Sequence, residues 1–367
     1  MKKIVLAYSG GLDTSIILRW LQENYNAEII AYTADIGQII NKKKIIKNAK
    51  ELGVKKIIIE NLKNTFVKDY VFPMVRAHAL YEGVYFLGTS IARPLIGKRQ
   101  IAIAKKFGAF AVSHGATGKG NDQVRFELAY AYFGKKIKII APWREWKLQS
   151  RSDLIKYAKK NKIPIPKDKK GAPPFSVDDN IFHTSTGGKV LENPINSAPE
   201  FIFQRTRKIE KTPNKASIIK IGFKNGDAIS INEKKIKPEK LLERLNQIGG
   251  KHGVGRVDLV ENRFIGIKSR GVYETPGGTI LYFAHRAIES VTLDKDTMHA
   301  KDRIMPLYAE LVYNGYWFSK KRINLQKIID KKRNLVAGQV VLKILKGNVI
   351  IMSRRTKNKA YSMKRVS

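Results

Sequence analysis

The sequence predicts an α/β protein: an N-terminal domain built on a parallel sheet, followed by an α+β domain. Three observations carry this. Short apolar runs at 4–6, 27–34 and 56–60 alternate with segments of helical spacing, the pattern of a parallel sheet covered by helices. A basic stretch rich in Pro and Gly, 167–174, reads as a linker. Beyond it, residues 217–236 alternate around Asn225-Gly226, a hairpin signal that belongs to antiparallel sheet. At 367 residues the chain exceeds most single cores, so the expected division is 1–166, 167–352 and a basic, disordered tail at 353–367.

The first element is a strand at Ile4, Val5 and Leu6, which breaks at a glycine pair. Ser9-Gly10-Gly11 is followed by Leu12-Asp13-Thr14-Ser15, and then by Ile16, Ile17, Trp20 and Leu21 at helical spacing. Two glycines let backbone amides face a ligand, and the amides that open a helix add partial positive charge. Ser9, Thr14 and Ser15 contribute hydroxyls, so the turn suits an anion, phosphate above all. Two familiar phosphate loops do not fit. A Walker A loop needs Lys after its second glycine; no Lys follows Gly11, and Gly250-Lys251 runs into His252. A dinucleotide fingerprint needs Gly-x-Gly-x-x-Gly, and Gly10-Gly11 has the wrong spacing.

A second strand at 27–34 ends at Asp35, a helix at 41–52 is closed by Gly53, and a third strand follows at 56–60. In parallel sheets ligands lie beyond the carboxyl ends of the strands. Ser9 to Ser15 and Thr33-Ala34-Asp35 therefore line one crevice, where the small Ala34 is consistent with a packed adenine. Tyr85, Thr89 and Ser90 bring hydroxyls to a glycine turn ahead of a helix running to about Phe107; a capped helix start reads these residues equally well. A strand at 109–113 empties into 114–127, the densest polar stretch in the chain. Capping of the next helix by Asn121 or Asp122 accounts for one of its polar residues, but not for Thr117, Lys119 and Arg125 as well. Ser150 and Asp153 have capping-box spacing for a helix that ends near Asn161, before Pro164 and Pro166. In the second domain, 237–248 reads as a helix ended by Gly249-Gly250.

Composition narrows the class. No apolar stretch approaches eighteen residues, and Lys2-Lys3 leads straight into a core strand, so neither a membrane span nor a signal peptide is expected. The absence of Cys removes disulfides, thiolate metal sites and a cysteine nucleophile, and fits a cytoplasmic protein. The formal charge of +39 taken alone points to nucleic acid. Its Lys and Arg are spread along the whole chain, however, and no nucleic-acid module is recognisable. They read as solvated faces that attract anionic substrates, without a specific nucleic-acid partner.

Ser9-Gly10-Gly11-Leu12-Asp13-Thr14-Ser15 resembles the PP-loop of ATP pyrophosphatases, which split ATP between its α and β phosphates. Taken in order, Tyr8 to Ser15, Leu87-Gly-Thr-Ser-Ile-Ala-Arg-Pro94 and Gly115-Ala-Thr-Gly-Lys-Gly-Asn-Asp-Gln-Val-Arg-Phe-Glu127 resemble the argininosuccinate synthases. The likeness continues through Ala141 to Trp146, resumes at His252 to Arg263 and runs on from Gly266 to Gly278, so it covers nearly the whole chain. It implies an adenine nucleotide alpha hydrolase-like first domain and a synthetase second domain. The implied reaction adenylates the ureido oxygen of citrulline with ATP, releasing pyrophosphate; the amine of aspartate then displaces AMP. Mg on the phosphates, no prosthetic group, no resident metal and a homotetramer are implied with it.

Carried over residue by residue, the resemblance assigns ATP to Ala7, Tyr8, Ser9, Gly10, Gly11, Leu12, Asp13, Thr14, Ser15, Ala34 and Gly115. Aspartate falls to Thr117, Asn121 and Asp122. Citrulline falls to Tyr85, Ser90, Asn121, Arg125, Ser176, Ser185, Glu261 and Tyr273, which places it between the domains. Asp13, Ser15 and Asp122 are the expected catalytic residues. Arg125 suits a carboxylate and Glu261 an α-ammonium. The chain departs from the family pattern in three places. Gly187 stands where an acid is usual, residues 39–44 (Ile-Ile-Asn-Lys-Lys-Lys) replace an acidic run, and no acid follows Asp330. The rival reading is a PP-loop tRNA modifier. The thiolating kind needs cysteines; the lysine-attaching kind would suit the charge, but does not account for 115–127 or 252–278.

Overall fold

The computed structural model describes residues 2–118, 120–148, 150–165, 175–358 and 360–362. Lys119, the expected linker at 167–174 and the last residues of the tail lie outside the described residues. In chain order the elements are β1 (Lys2–Ala7), α1 (Leu12–Tyr25), β2 (Ala27–Asp35), α2 (Lys42–Glu51), β3 (Lys56–Asn61), α3 (Lys63–Phe66), α4 (Phe72–Arg76), α5 (Gly88–Lys106), β4 (Ala111–Ser113), α6 (Asn121–Phe133), β5 (Lys138–Ile140), α7 (Pro142–Glu145) and α8 (Arg151–Lys160). There follow β6 (Ser176–Asp179), β7 (Thr184–Gly187), β8 (Ser217–Lys224), β9 (Asp227–Ile231), β10 (Lys234–Lys235), α9 (Pro238–Lys251), β11 (Arg256–Asn262), β12 (Lys268–Glu274), α10 (Pro276–Thr292), α11 (Lys295–Tyr313), α12 (Lys320–Asp330), β13 (Gly338–Leu345) and β14 (Asn348–Arg355). The chain forms two units: Met1–Leu62 with Ala92–Pro174 and Asn314–Phe318, and Lys63–Ile91 with Phe175–Tyr313 and Ser319–Ser367.

The first unit holds the parallel sheet the sequence predicts, in the order β3-β2-β1-β4-β5. Ile4, Val5 and Leu6 of β1 are fully buried, as central strands covered on both faces must be. Strand order reverses between β1 and β4, so the loops leaving their carboxyl ends frame the crevice expected of such sheets. Gln100 of α5 ties those two strands together, its amide donating to the carbonyls of Val5 and Ser113 at 2.8 Å each. Apolar residues of α1, including Ile16, Ile17 and Leu21, close the core under β1 with Ala111 and Ile140. Ser150 and Asp153 form the expected capping box at the start of α8.

The second unit carries two antiparallel sheets, β10-β9-β8-β13-β14 and β11-β12-β7-β6. Asn225 and Gly226 turn β8 into β9 with φ of 52° and 77°, the left-handed pair that a two-residue hairpin demands.

Three sequence expectations are corrected. Helix α9 does not stop at Gly249-Gly250 but runs to Lys251. A Cβ on Gly249 would stand 2.9 Å from Cβ of Pro276, and one on Gly250 would stand 2.1 Å from the carbonyl of Arg205. These glycines permit close approach; the chain turns at Gly253, whose φ is +73°. Residues 63–91, expected in the first domain, belong to the second unit, where α4 packs on α10 and α12 and where Phe66, Val67 and Val71 are buried. Finally, β14 runs through Arg355, so Ser353 to Arg355 form strand rather than tail. No helix among the described residues is long and apolar enough to cross a membrane.

Candidate active site

In the first unit, β1 ends at Ala7 and the chain turns through Tyr8-Ser9-Gly10-Gly11 into α1. Gly10 has a φ of +78°, and a Cβ there would lie 2.8 Å from Cγ1 of Ile45, so conformation and space both require glycine. The N-cap of α1 is Gly11, which makes no side-chain capping bond, and the first turn of a helix is where backbone amides receive an anion. The loop is stiffened from within. Ser9 Oγ accepts from the Gly11 amide at 3.3 Å and lies 3.0 Å from Thr14 Oγ1. The Tyr8 hydroxyl meets Ser15 Oγ at 3.1 Å, and Thr33 donates to the Tyr8 carbonyl at 2.6 Å. Asp13 stands exposed in the first turn.

Ala34 is the buried penultimate residue of β2, its carbonyl accepting from the Gln38 side-chain amide at 2.7 Å. Gly115 follows β4; a Cβ on it would be 3.3 Å from Cγ2 of Thr14. The carboxyl ends of β1, β2 and β4 thus bring residues 7–15, Ala34 and Gly115 to the same edge of one sheet. Residues 39–44 lead into α2, with Asn41 as its N-cap: Asn41 accepts from the Lys44 amide at 3.0 Å, and Lys42 lies 3.6 Å from the buried Asp35.

Beyond Gly115, neither Asn121 nor Asp122 caps α6. Gly120 is the N-cap, and no described side chain supplies a capping bond. Asp122 instead faces two guanidinium groups. Arg93 donates to its Oδ2 from Nε and Nη2 at 2.9 and 2.7 Å, and Arg125 donates to Oδ1 at 3.0 Å. Burial alone would raise the Asp122 carboxyl, but the two arginines hold it below the usual carboxylate range. Arg125 is almost fully buried, and Gly315 (φ +87°) packs on it, leaving a Cβ only 3.1 Å from its Cα. His114, also buried, accepts from the Ala116 amide through Nδ1 at 3.3 Å, so Nε2 carries the proton toward Glu127 at 3.2 Å. Thr117 is exposed on the same loop.

In the second unit Tyr85 and Tyr273, two of the sequence-predicted residues, lie with a third, the buried acid Glu261. Glu261 accepts from the hydroxyls of Tyr273 at 2.7 Å and Tyr313 at 2.9 Å. Tyr85 stacks on Tyr273 with ring centroids 4.3 Å apart, and Tyr81 stacks on Tyr313 at 3.7 Å. Burial pushes Tyr81 up to about 12 and Tyr273 well above its ordinary value, so these hydroxyls stay protonated at neutral pH. Ser185 of β7 pairs with Tyr273 of β12, and Ser176 of β6 pairs with Gly187. Gly187 lies on the Ser185 face, and a Cβ there would meet nothing closer than the Arg270 carbonyl at 3.8 Å. Ser90 is fully buried, with a hydroxyl that meets no hydrogen-bond partner among the described residues. Tyr81, Arg93 and Tyr313 escaped the sequence reading. Arg93 lay inside a motif already singled out, whereas nothing local marked either tyrosine.

Comparison with known proteins agrees along the chain. Residues 3–164 match the family model described as the arginosuccinate synthase N-terminal HUP domain, and residues 175–367 match the arginosuccinate synthase C-terminal domain. The argininosuccinate synthase of Pelagibacter ubique (strain HTCC1062) is 77% identical over 366 residues, covering 100% of this chain and 93% of that protein. That of Parvibaculum lavamentivorans is 58% identical over 367 residues, covering 100% and 90%. Both domains and the full length point the same way: this chain belongs to the argininosuccinate synthase family.

Proposed function

We propose the following residue roles for the family's reaction in this chain, the ATP-dependent ligation of citrulline and aspartate to argininosuccinate with release of AMP and pyrophosphate. The observation that carries the proposal is the uncapped first turn of α1 beside Gly10 and Gly11. Its amides, with the hydroxyls of Ser9, Thr14 and Ser15, hold the departing pyrophosphate, and stabilising that developing charge is worth most in a site organised beforehand. Ala34 and Gly115 complete the nucleotide pocket. Asp13 and the neighbouring hydroxyls are hard oxygen donors, which suits Mg²⁺ arriving with ATP; when bound, the ion neutralises charge on the phosphates.

Citrulline is held through its α-ammonium by Glu261 and through its carboxylate by Arg125, with Asn121, Ser90, Ser176, Ser185, Tyr85 and Tyr273 completing its site. Thr117, Asn121 and Asp122 take aspartate. A carboxylate held down by two arginines is a poor proton acceptor, so Asp122 anchors the aspartate ammonium rather than deprotonating it. A homotetramer in the cytoplasm, without a specific nucleic-acid partner, belongs to the same proposal. Exposed Ile218 and Ile350, which flank Lys343 in register on the second unit's five-stranded sheet, support a face that another copy covers. The test is pyrophosphate release with citrulline and aspartate added singly and together. Release that depends on citrulline, with argininosuccinate appearing only when aspartate is present, is the expected result. Release with lysine and bulk tRNA instead would overturn it.

A further inference from the structure

We propose that Arg93 is a positioning residue for the second half of the reaction, holding Asp122 so that one carboxylate oxygen is presented to the incoming amine. This rests on the assignment of Asp122 to the aspartate ammonium. A carboxylate offers about four lone-pair positions. Arg93 fills two on Oδ2 and Arg125 fills one on Oδ1, which among the described residues leaves a position on Oδ1. The Asp122 side chain is 24% exposed.

Two bonds from one planar guanidinium to a single oxygen fix the rotation of the carboxylate, which a lysine's point charge cannot do. Arg93 is itself held: its side chain is largely buried, and its guanidinium lies 6.0 Å over the ring of Phe126. Without Arg93, Asp122 can turn both oxygens onto Arg125 and close the Oδ1 position. The loss should therefore fall on aspartate and spare the earlier adenylation of citrulline.

The experiment separates the two half-reactions in the full-length protein. Citrulline-dependent exchange of labelled pyrophosphate into ATP reads the first, and argininosuccinate formation against aspartate concentration reads the second. Arg93→Met is expected to keep exchange within about threefold of the parent while the aspartate KM rises at least about tenfold, with Arg93→Lys in between. A purely structural role would lower exchange and ligation together, and that result overturns the inference, as does an unchanged aspartate KM. Asp122→Asn, measured in parallel, separates the two layers of the argument. If it leaves the aspartate KM unchanged, the assignment of Asp122 fails; if it raises the KM while Arg93→Met does not, only the role of Arg93 fails. Should Arg93→Met not fold by circular dichroism, Arg93→Lys decides alone: a rise of about threefold supports the role and none overturns it.

Discussion

The loop at the end of β1 and the pocket around Glu261 are built by opposite means. The loop is contiguous, and the chemistry proposed for it comes from backbone amides and short hydroxyls set by one left-handed glycine at the head of a helix. The pocket draws on side chains from Tyr81 to Tyr313, joined by aromatic stacking and by two phenols donating to one buried acid. A site made of backbone should tolerate loss of a hydroxyl and resist any change of conformation. A site made of side chains should fail group by group. The pocket also depends on strand register: Glu261 pairs with Ser269 and Tyr273 with Val257, which puts Glu261 and Tyr273 on one face of the sheet, where a one-residue slip would separate them.

The largest test falls on the one side chain of the loop assigned a charged role. Asp13→Ala is expected to lower citrulline-dependent pyrophosphate release by about 10²–10³-fold, the scale of losing one preorganised electrostatic contact. Full turnover in the variant would remove Asp13 from the site. Next is the centre of the pocket. Glu261→Gln keeps the shape and loses the charge, and a charged hydrogen bond is worth about 1.5–3 kcal/mol, so the citrulline KM should rise about 10–100-fold with kcat less affected. An unchanged KM would mean that the tyrosines surround a structural acid.

Gly10→Ala then tests the loop's backbone. Left-handed φ costs a Cβ-bearing residue about 1–2 kcal/mol, and Ile45 must also give way. A lower melting temperature and roughly tenfold slower pyrophosphate release are expected, against less than about fivefold for Ser9→Ala. Equal losses in the two variants would break the comparison, because they would make the loop a side-chain site after all.

The same contrast explains what could be read in advance. The parallel sheet and the glycine turn between β1 and α1 were legible because both are local: a run of apolar residues, a glycine pair and a helical period lie within about twenty residues of one another. Gly249 and Gly250 were misread as a helix stop because their reason lies elsewhere in the chain, at Pro276 and Arg205. The placement of residues 63–91 was likewise decided by which core receives Phe66 and Val67, and burial does not announce its partner. In the pocket, Tyr313 meets Glu261 across 52 residues, and no local pattern signals that pairing. Glu261 and Tyr273 were named only through resemblance to a family; the stacking that orients them was found in the folded chain.

Tyr85 gives the finest test, because it separates ring from hydroxyl within the pocket. It is buried, stacks on Tyr273 at 4.3 Å and meets Tyr313 edge-on at 6.3 Å. Aromatic pairs contribute about 0.5–1.5 kcal/mol beyond their buried area, and a neutral hydrogen bond contributes a similar net amount. If the ring holds Tyr273 in place over Glu261, Tyr85→Phe should change the citrulline KM by less than about threefold and Tyr85→Leu by about 3–10-fold, with only the latter lowering the melting temperature. If the hydroxyl itself grips citrulline, the two variants should share the same KM, and only melting should distinguish them. The pocket would then be a set of polar contacts on an aromatic support, closer in kind to the loop than its architecture suggests.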